Sequence, residues 1–481
     1  MTAGRDGLWL AAILALALAL RLWGLNAPLW YDEILTVDTH LRLPWGEMLR
    51  DYSMNHHYLH DILAKLAIAL FGEANWSVRL PAMLLGLGSI WATWLLARDI
   101  AGARIAHLTA ALLAVSYHHT WFSQNARGYT GLAFFSAVAM VLFLRGIRDP
   151  RPGPWAGFGL MLAAAVFTHL TGAFFFVALG LVWLCVLALR VARGEPAGAL
   201  ARMPLVGAAI GVVLSVLAYL PILPGMMAEV SAVSETSAVD VMQEYQSPLW
   251  AAAEAMRTAL GEGGALNLLI GLGVIVLSCV GGWSLRRRSP LFPLAVAAHV
   301  ALTILILKSL GMRVWPRFFF VDIGFLMLLI VLGVQAVCDA AGRLAGKAGA
   351  GRALFTAAAV AMLALSSVLA LRNYAFPKQN LAGAFAMVEA ARGPDERVYA
   401  VGYAGAAFRD HFGADWIQIF DESEYRAAMA LPGPVTFVVA FPARNFRRIP
   451  QLEADRAGVL TEVAWLPGTL GDGGVVILHR D

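Results

Sequence analysis

The sequence predicts an all-α polytopic membrane protein that carries a small α/β domain at its C-terminal end. Of the 481 residues, 59% are hydrophobic and only 14% are charged, whereas about a quarter of a soluble chain is charged. Apolar runs long enough to cross a bilayer recur along residues 1–371. Residues 372–481 lack such runs. These observations predict a transmembrane domain over 1–371 and a separate α/β domain over 372–481.

Eleven apolar runs account for the predicted transmembrane helices. The first run is not followed by a small-residue cleavage site, so we interpret it as a retained helix rather than a cleaved signal. The three cysteines lie in or beside these runs, which indicates neither a disulfide framework nor a metal cluster. The predicted spans are 8–23, 79–97, 105–122, 130–144, 155–169, 171–189, 204–223, 265–284, 291–307, 318–337 and 353–371.

Positive charges indicate which side of the membrane each loop faces. Arginine and lysine recur in alternate short loops, a pattern typical of cytoplasmic loops. These residues are Arg98, Arg104, Arg145, Arg148, Arg151, Arg190, Arg193, Arg202, Arg286, Arg287, Arg288, Arg343, Lys347 and Arg352. Asp32, Glu33 and the residues after 372 are then predicted to lie outside the cytoplasm. The expected location is the plasma membrane, which is the inner membrane in a bacterium.

The first outward loop, residues 24–78, is long enough to serve function rather than connection alone. It contains an amphipathic helical stretch, Tyr58–Phe71. At about 1.5 Å per residue this helix is about 21 Å long, short of the roughly 30 Å hydrocarbon core. If it crossed the membrane, every later loop would change sides and the arginine-rich loops would lie outside the cytoplasm. We therefore predict that it lies in the outer interface.

The C-terminal residues predict short strands separated by helices. The predicted strands are 397–401, 416–420, 435–441 and 475–479, and the predicted helices are 380–392 and 423–431. The stretch Gly402-Tyr-Ala-Gly405 lacks the full dinucleotide-binding pattern. Docking, shaping of an acceptor site and stabilisation all stay open as roles for this domain.

Polar side chains gather at the predicted outer boundary of the membrane, where they are costly in lipid and useful in chemistry. Each also has a less specific interpretation. Arg313, at a helix end, can extend to lipid headgroups. His118 and His119 fit interface residues better than ligands, and no zinc site is expected from His56 and His57 alone, because adjacent residues point in different directions on a helix. No basic, aromatic-rich patch supports binding of nucleic acid.

Four motifs, in order along residues 8–337, carry a family resemblance. They are Leu29-Trp-Tyr-Asp-Glu33 after Arg21-Leu-Trp-Gly-Leu25, Phe71–Pro81, Phe122–Tyr129 and Pro316–Phe320. The ordered set resembles the GT-C glycosyltransferases that use polyprenyl-phosphate sugars, in the branch similar to protein O-mannosyltransferases and lipid A aminoarabinose transferases. The resemblance implies a GT-C fold of about eleven transmembrane helices with interfacial helices in the first outer loop.

The resemblance also implies transfer of a hexosyl or pentosyl group from a polyprenyl-phosphate donor to a protein, lipid or glycan hydroxyl, with inversion. It implies Asp32 as the base, with Glu33 orienting Asp32 or lining the acceptor groove. A lipid phosphate suits paired guanidinium donors, so Arg127 and Arg317 are the phosphate candidates. Further candidates for binding phosphate or sugar are Arg313, Lys308, His169, Gln124, Asn125, Tyr129 and His57.

The chain departs from the family pattern at two places. Asn125 stands where the family often has an acidic residue, and Asn55-His-His57 replaces a His-Pro-Pro stretch. A divalent metal ion is compatible with the chemistry, but no residue pattern supports one, and no other cofactor is expected.

Two other functional classes stay open. A transporter or lipid flippase would place ionisable residues near mid-membrane, often within an inverted repeat, whereas here the charges collect at one face. A non-catalytic scaffold would leave the ordered motifs unexplained. Both classes share the expected contact with membrane lipids.

Overall fold

The chain is mostly helical in a computed structural model that describes residues 3–53, 55–234, 247–260 and 264–481. A π-helix covers Thr36–Leu41 and a 3₁₀ helix covers Pro316–Asp322. The α-helices of the described chain are Ala3–Leu22 (α1), Tyr31–Leu35 (α2), Trp45–Met48 (α3), Tyr58–Phe71 (α4), Asn75–Ala101 (α5), Ala103–Ala114 (α6), Tyr117–Ser123 (α7), Tyr129–Arg148 (α8), Pro152–Thr168 (α9), Gly172–Ala192 (α10), Gly198–Tyr219 (α11), Leu223–Ser234 (α12), Pro248–Leu260 (α13), Ala265–Ser284 (α14), Leu291–Ser309 (α15), Ile323–Leu344 (α16), Ala348–Ala370 (α17), Arg372–Ala375 (α18), Leu381–Ala391 (α19), Ala404–Asp410 (α20), Glu422–Ala430 (α21), Pro442–Arg448 (α22) and Pro450–Arg456 (α23).

Eight helical segments of the described chain are long and apolar enough to cross a membrane. The protein is therefore an integral, multi-pass membrane protein. The segments are Asn75–Ala101, Tyr129–Arg148, Gly172–Ala192, Gly198–Tyr219, Ala265–Ser284, Leu291–Ser309, Pro316–Leu344 and Gly349–Ala375. In the most apolar stretch of α8, 78% of the residues are buried, against 6% in α14. Because α14 is apolar yet exposed, it lies at the rim of the bundle and presents that surface to lipid.

Most predicted spans coincide with one helix, but the tenth begins in the 3₁₀ helix Pro316–Asp322 and continues in α16, and the third is divided. Helix α6 ends at Ala114 and α7 begins at Tyr117, so the prediction of one continuous helix over 105–122 was wrong. Ser116 between them has an extended backbone, and its hydroxyl accepts a hydrogen bond from the His119 N–H at 3.4 Å. This cap begins a new helix. The residues from Ser116 to Thr120 are more polar than the stretch before them, a change that the prediction of one continuous helix did not use.

The amphipathic helix of the first outer loop has the predicted bounds, Tyr58–Phe71. It packs against α5 and α9, and buries His60 and Asp61 while Leu70 stays exposed. Its orientation along the membrane interface stays a prediction, as does the side of the membrane that each loop faces.

The C-terminal residues form a five-stranded mixed sheet with helices around it. Its strands are Arg397–Val401 (β1), Ile417–Ile419 (β2), Val435–Ala440 (β3), Thr461–Leu466 (β4) and Val475–Arg480 (β5), in the order β2-β1-β3-β5-β4. Strand β1 pairs in parallel with β2 and β3, and β5 pairs antiparallel with β3 and β4. Four strands lie where the sequence predicted them. Strand β4 was missed because it is a largely exposed edge strand, and helices α20, α22 and α23 were also missed.

Candidate active site

A cavity of about 310 Å³ lies where the first outer loop, α7, the 3₁₀ helix and the C-terminal residues meet. Its wall is mostly aromatic and apolar with few polar groups, as is typical of ligand sites. The lining residues include Trp30, Asp32, His118, Asn125, Tyr129, Glu254, Trp315, Arg317, Leu470 and Gly471.

Asp32 supplies a carboxylate to this cavity. It lies in the first turn of α2, where the helix N-terminus favours negative charge. Its Oδ2 is 3.5 Å from Arg317 Nη1, and the two side chains keep 18% and 32% exposure. Arg317 also stacks over the Trp315 ring, with 4.6 Å to the ring centroid. Two of the predicted site residues, a carboxylate and a guanidinium, thus meet on one cavity wall.

Glu33 is fully buried and does not line the cavity. Arg79 donates to both of its oxygens, from Nε to Oε1 at 2.7 Å and from Nη2 to Oε2 at 2.6 Å. The backbone N–H groups of Ala126 and Trp30 donate to it at 2.7 and 3.3 Å. Burial raises the pKa of Glu33, but the charges of Arg79 and Lys378 and the hydrogen bonds from Arg79 and Ala126 outweigh burial and leave the pKa below its usual value. Glu33 therefore fastens α2 to α5 and to the turn before α8.

The turn between α7 and α8 carries two predicted amides with different surroundings. Gln124 Nε2 donates to carbonyls at the end of α1, including Arg21 O at 2.9 Å, so this amide holds the turn against α1. Asn125 lines the cavity, and its Oδ1 accepts a hydrogen bond from Trp30 Nε1 at 3.1 Å. Only Asn125 of the two is placed to contact a bound molecule.

Arg127, in the same turn, is buried and does not line the cavity. Its Nη1 donates to Asn55 Oδ1 at 2.6 Å and to Thr36 Oγ1 at 3.4 Å. Its Nε is buried without a hydrogen-bond partner among the described residues. Arg127 thus joins the turn to the first outer loop and keeps one unused donor.

His57, Tyr129 and His169 form one aromatic cluster beside the cavity. The His57 ring lies 4.9 Å from the Tyr129 ring and 4.8 Å from the His169 ring, between centroids. A Cβ on Gly128 would come within 2.9 Å of His57 Nδ1, so the close approach requires glycine there. Burial, reinforced by the positive charge of Arg127, holds the pKa of His57 well below its usual range. Of the three, Tyr129 alone lines the cavity.

Two predicted cations lie apart from the cavity wall. Lys308 is exposed in the last turn of α15, and Arg313 is half-buried in the following loop. Neither lines the cavity.

Residues 372–481 contact the site directly. Lys378 Nζ donates to Gln124 O, and Gln379 Oε1 accepts a hydrogen bond from the Tyr31 N–H at 3.3 Å. Burial and the nearby Arg79 lower the pKa of Lys378 to about 7. Farther along the chain, Trp121 Nε1 donates to Thr469 Oγ1 at 3.0 Å, and Leu470 and Gly471 line the cavity. Of the open roles for these residues, the contacts favour shaping of the site.

Several residues of the site were missed or given a weaker role by sequence reasoning. Arg79 lies within one of the quoted motifs, which was a usable signal. His118 was interpreted as an interface residue but lines the cavity. Glu254 lines the cavity and pairs with Arg257 at 2.8 Å. Nothing in the sequence around Glu254 distinguished it. Among the described residues, His40, Asp51 and His56 form a group that could hold a metal ion, and His40 and Asp51 were not candidates.

Comparison with known proteins agrees with this architecture. The family model described as dolichyl-phosphate-mannose-protein mannosyltransferase matches residues 55–219. The Archaeoglobus fulgidus oligosaccharyltransferase, solved in complex with Zn and sulfate, is similar with a TM-score of 0.56 and 13% identity, over 89% of this chain and 67% of that chain. The chain has the GT-C fold. The apo form of the same oligosaccharyltransferase gives a TM-score of 0.56 and 14% identity, over 92% and 71%.

The GT-C fold that the sequence motifs predicted is thereby confirmed. ArnT from Cupriavidus metallidurans, solved bound to undecaprenyl phosphate, aligns over 100% of this chain and 98% of its own, with 13% identity and a TM-score of 0.49. No curated protein sequence matches this chain.

Proposed function

We propose that this GT-C protein is a membrane glycosyltransferase that moves a sugar from a polyprenyl-phosphate donor to an acceptor hydroxyl, with Asp32 as the base. The observation that carries the proposal is the pairing of Asp32 with Arg317 on the wall of an aromatic cavity. The matching family model describes mannosyltransferases that use dolichyl-phosphate-mannose. That match supports a lipid-phosphate donor for this chain.

In the proposed reaction the acceptor oxygen attacks the anomeric carbon while the bond from that carbon to the phosphate oxygen breaks. The hydroxyl proton passes to Asp32, and the bonding electron pair leaves with the lipid phosphate. A single displacement assisted by a carboxylate base inverts the sugar carbon. Phosphate is a competent leaving group, so no second carboxylic acid is needed. This agrees with the position of Glu33, the other acid of α2, which is buried in an ion pair with Arg79.

The phosphate charge is assigned first to Arg317, because its guanidinium faces the cavity and can donate paired hydrogen bonds to phosphate oxygens. Arg127 supports the site through its contact with Asn55. Asn125 and Tyr129, which line the cavity, are assigned to the sugar. His57, His169, Gln124, Arg313 and Lys308 do not line it.

The acceptor side of the cavity is assigned to the C-terminal domain, residues 372–481. Leu470 and Gly471, in the loop between strands β4 and β5, line the cavity. We place both the cavity and this domain outside the cytoplasm of the plasma membrane, because the arginine-rich loops mark the opposite face. The acceptor is a protein, a lipid or a glycan with a free hydroxyl.

One observation bears on the rival function of transporter or flippase. His299 within α15 and Asp322, the last residue of the 3₁₀ helix before α16, form a buried pair at 3.0 Å, and ionisable groups inside a bundle often mark transport paths. The sequence interpretation that the charges collect at one face, away from the span centres, overlooked this pair. Each member satisfies the other, and neither lines the cavity described above. The pair therefore favours packing between α15 and α16.

The test is complementation of a deletion strain, with mass analysis of its surface glycans, lipids and proteins. Wild type should restore one sugar modification that the deletion removes. Asp32→Asn should reduce transfer by about 10²–10⁴-fold, because general-base catalysis contributes about that much. Asp99→Asn is the matched control, because Asp99 pairs with Arg145 away from the cavity. Near-normal modification with Asp32→Asn at equal membrane abundance would exclude Asp32 as the base.

A further inference from the structure

Three side chains of the first outer loop, unused by the proposed reaction, form a compact group of metal-binding atoms. One ligand atom each from His40, Asp51 and His56 lies within 4.8 Å of the other two. His56 Nε2 is 3.4 Å from Asp51 Oδ2, and His40 Nδ1 is 4.0 Å from the same oxygen. Tetrahedral Zn²⁺ with bonds of about 2.0–2.1 Å holds its ligand atoms about 3.3 Å apart. The distance from His56 to Asp51 fits that geometry, and His40 would have to move only slightly toward Asp51.

The group combines buried nitrogen donors with an accessible carboxylate. The His40 and His56 side chains are 3% and 0% exposed, whereas that of Asp51 is 47% exposed. The two imidazole rings stack with 3.5 Å between their centroids. Solvent therefore reaches the group at Asp51, whereas the two imidazoles are buried beside it.

Asp61 fixes which nitrogen of His56 faces this group. His56 Nδ1 lies 2.9 Å from Asp61 Oδ2, and because a carboxylate accepts, Nδ1 carries the proton. In the neutral ring Nε2 then presents its lone pair toward Asp51. Asp61 is itself buried and held by the His57 backbone N–H at 3.1 Å. A histidine that binds zinc commonly donates its other nitrogen to a carboxylate, which sets the tautomer and the ring orientation.

We propose that His40, Asp51 and His56 bind one divalent transition-metal cation of the Zn²⁺ type, with water as the fourth ligand. Two imidazoles and one carboxylate suit Zn²⁺, whereas Mg²⁺ and Ca²⁺ prefer all-oxygen ligands. The three residues do not line the cavity around Asp32. The cation is therefore structural.

The cation would join two parts of the first outer loop. His40 belongs to the π-helix Thr36–Leu41, and Asp51 and His56 belong to the segment before α4. Asn55, next to His56, accepts the 2.6 Å hydrogen bond from Arg127. Metal binding would therefore hold in place the segment whose Asn55 contacts Arg127, whichever reaction the protein catalyses.

The test measures Zn²⁺ binding to the full chain, purified in detergent with a tag that contains no histidine. The protein is stripped with a chelator, titrated with Zn²⁺ alone, and its retained metal is measured by mass spectrometry. We expect about one Zn²⁺ per chain, no comparable retention of Mg²⁺, and a higher melting temperature with Zn²⁺. Asp51→Ala and His56→Gln should abolish this retention. Asp61→Asn should weaken Zn²⁺ affinity about 10–100-fold.

His479→Gln is the matched control, because His479 pairs with Glu396 and Asp481 in the C-terminal sheet. It should retain Zn²⁺ as wild type does. If His56→Gln fails to fold, Asp51→Ala decides the question, since Asp51 is half-exposed. Wild type that retains no more Zn²⁺ than Asp51→Ala, or Asp51→Ala that retains a full equivalent, would overturn the proposal.

Discussion

Two neighbouring carboxylates on α2 lie in opposite environments. Glu33 is buried, receives two hydrogen bonds from Arg79 and two from backbone N–H groups, and faces no cavity. Asp32 lines the cavity, keeps 18% exposure and has one described ion pair, with Arg317 at 3.5 Å. Protein groups occupy both oxygens of the Glu33 carboxylate, whereas the Asp32 carboxylate can still accept a hydrogen bond from a bound molecule. The difference supports the proposal that Glu33 holds the site together and that Asp32 is the base.

The contrast extends to the regions around the two residues. Around Glu33, the carbonyls of residues 25, 27 and 28 also accept from Arg79, so the polar groups satisfy one another. Around Asp32, the wall is aromatic and few polar partners compete for a ligand. Buried polar networks of the first kind rigidify a structure, and a rigid α2 holds the Asp32 carboxylate in place.

The largest effect that tests this contrast is on stability. Glu33→Gln should lower the free energy of unfolding by about 3–5 kcal/mol, because it leaves the buried Arg79 charge uncompensated. Asp32→Asn, one residue away, should change it by about 0.5 kcal/mol or less, as substitutions at partly exposed positions usually do. The measurement is the melting temperature and the folded yield of each variant in detergent.

The double variant Glu33→Gln with Arg79→Met separates a lost ion pair from general disruption. Replacing both partners removes the unpaired charge, so the double variant should be less destabilised than the sum of the two single variants. Additive losses, or equal melting temperatures for Glu33→Gln and Asp32→Asn, would contradict the division of roles between the two carboxylates.

A smaller effect concerns the partner of Asp32. Arg317→Met should weaken use of the lipid-phosphate donor about tenfold to hundredfold, since hydrogen bonds to charged groups contribute about 1.5–3 kcal/mol. The loss should appear mainly in KM for the donor, while Asp32→Asn lowers kcat. Arg343→Met, in the exposed last turn of α16, is the control. An unchanged KM for Arg317→Met would remove Arg317 from the phosphate site.

The sequence predicted the fold well because hydropathy and charge act locally. The bounds of α4 and β1 follow from side-chain periodicity within a few residues. The break at Ser116, where a hydrogen-bonding cap begins a new helix, escaped prediction although the residues that follow it are more polar.

The roles of individual site residues were harder to predict, because they depend on contacts between distant positions. Glu33 and Asp32 are adjacent acids in the sequence, and only the approach of Arg79 from α5 distinguishes them. Lys378 lies beyond the recognisable motifs, yet its ammonium reaches the turn before α8. Tertiary packing decides these roles, and no local pattern encodes them.

The smallest effect concerns the charge state of Lys378, beside the Glu33–Arg79 pair. Its pKa in the folded protein is about 7, against an ordinary value of 10.5. Between these values the unfolded chain binds more protons than the folded one, so stability rises with pH in this window. Lys378→Met removes that dependence, whereas Lys308→Met, at an exposed position, keeps it. The melting temperature of wild type minus that of Lys378→Met should therefore increase between about pH 7 and pH 9.5. A difference that stays constant over this range would show that burial beside Arg79 does not lower the pKa of Lys378. The buried polar network around Glu33 would then include Arg79 but not Lys378.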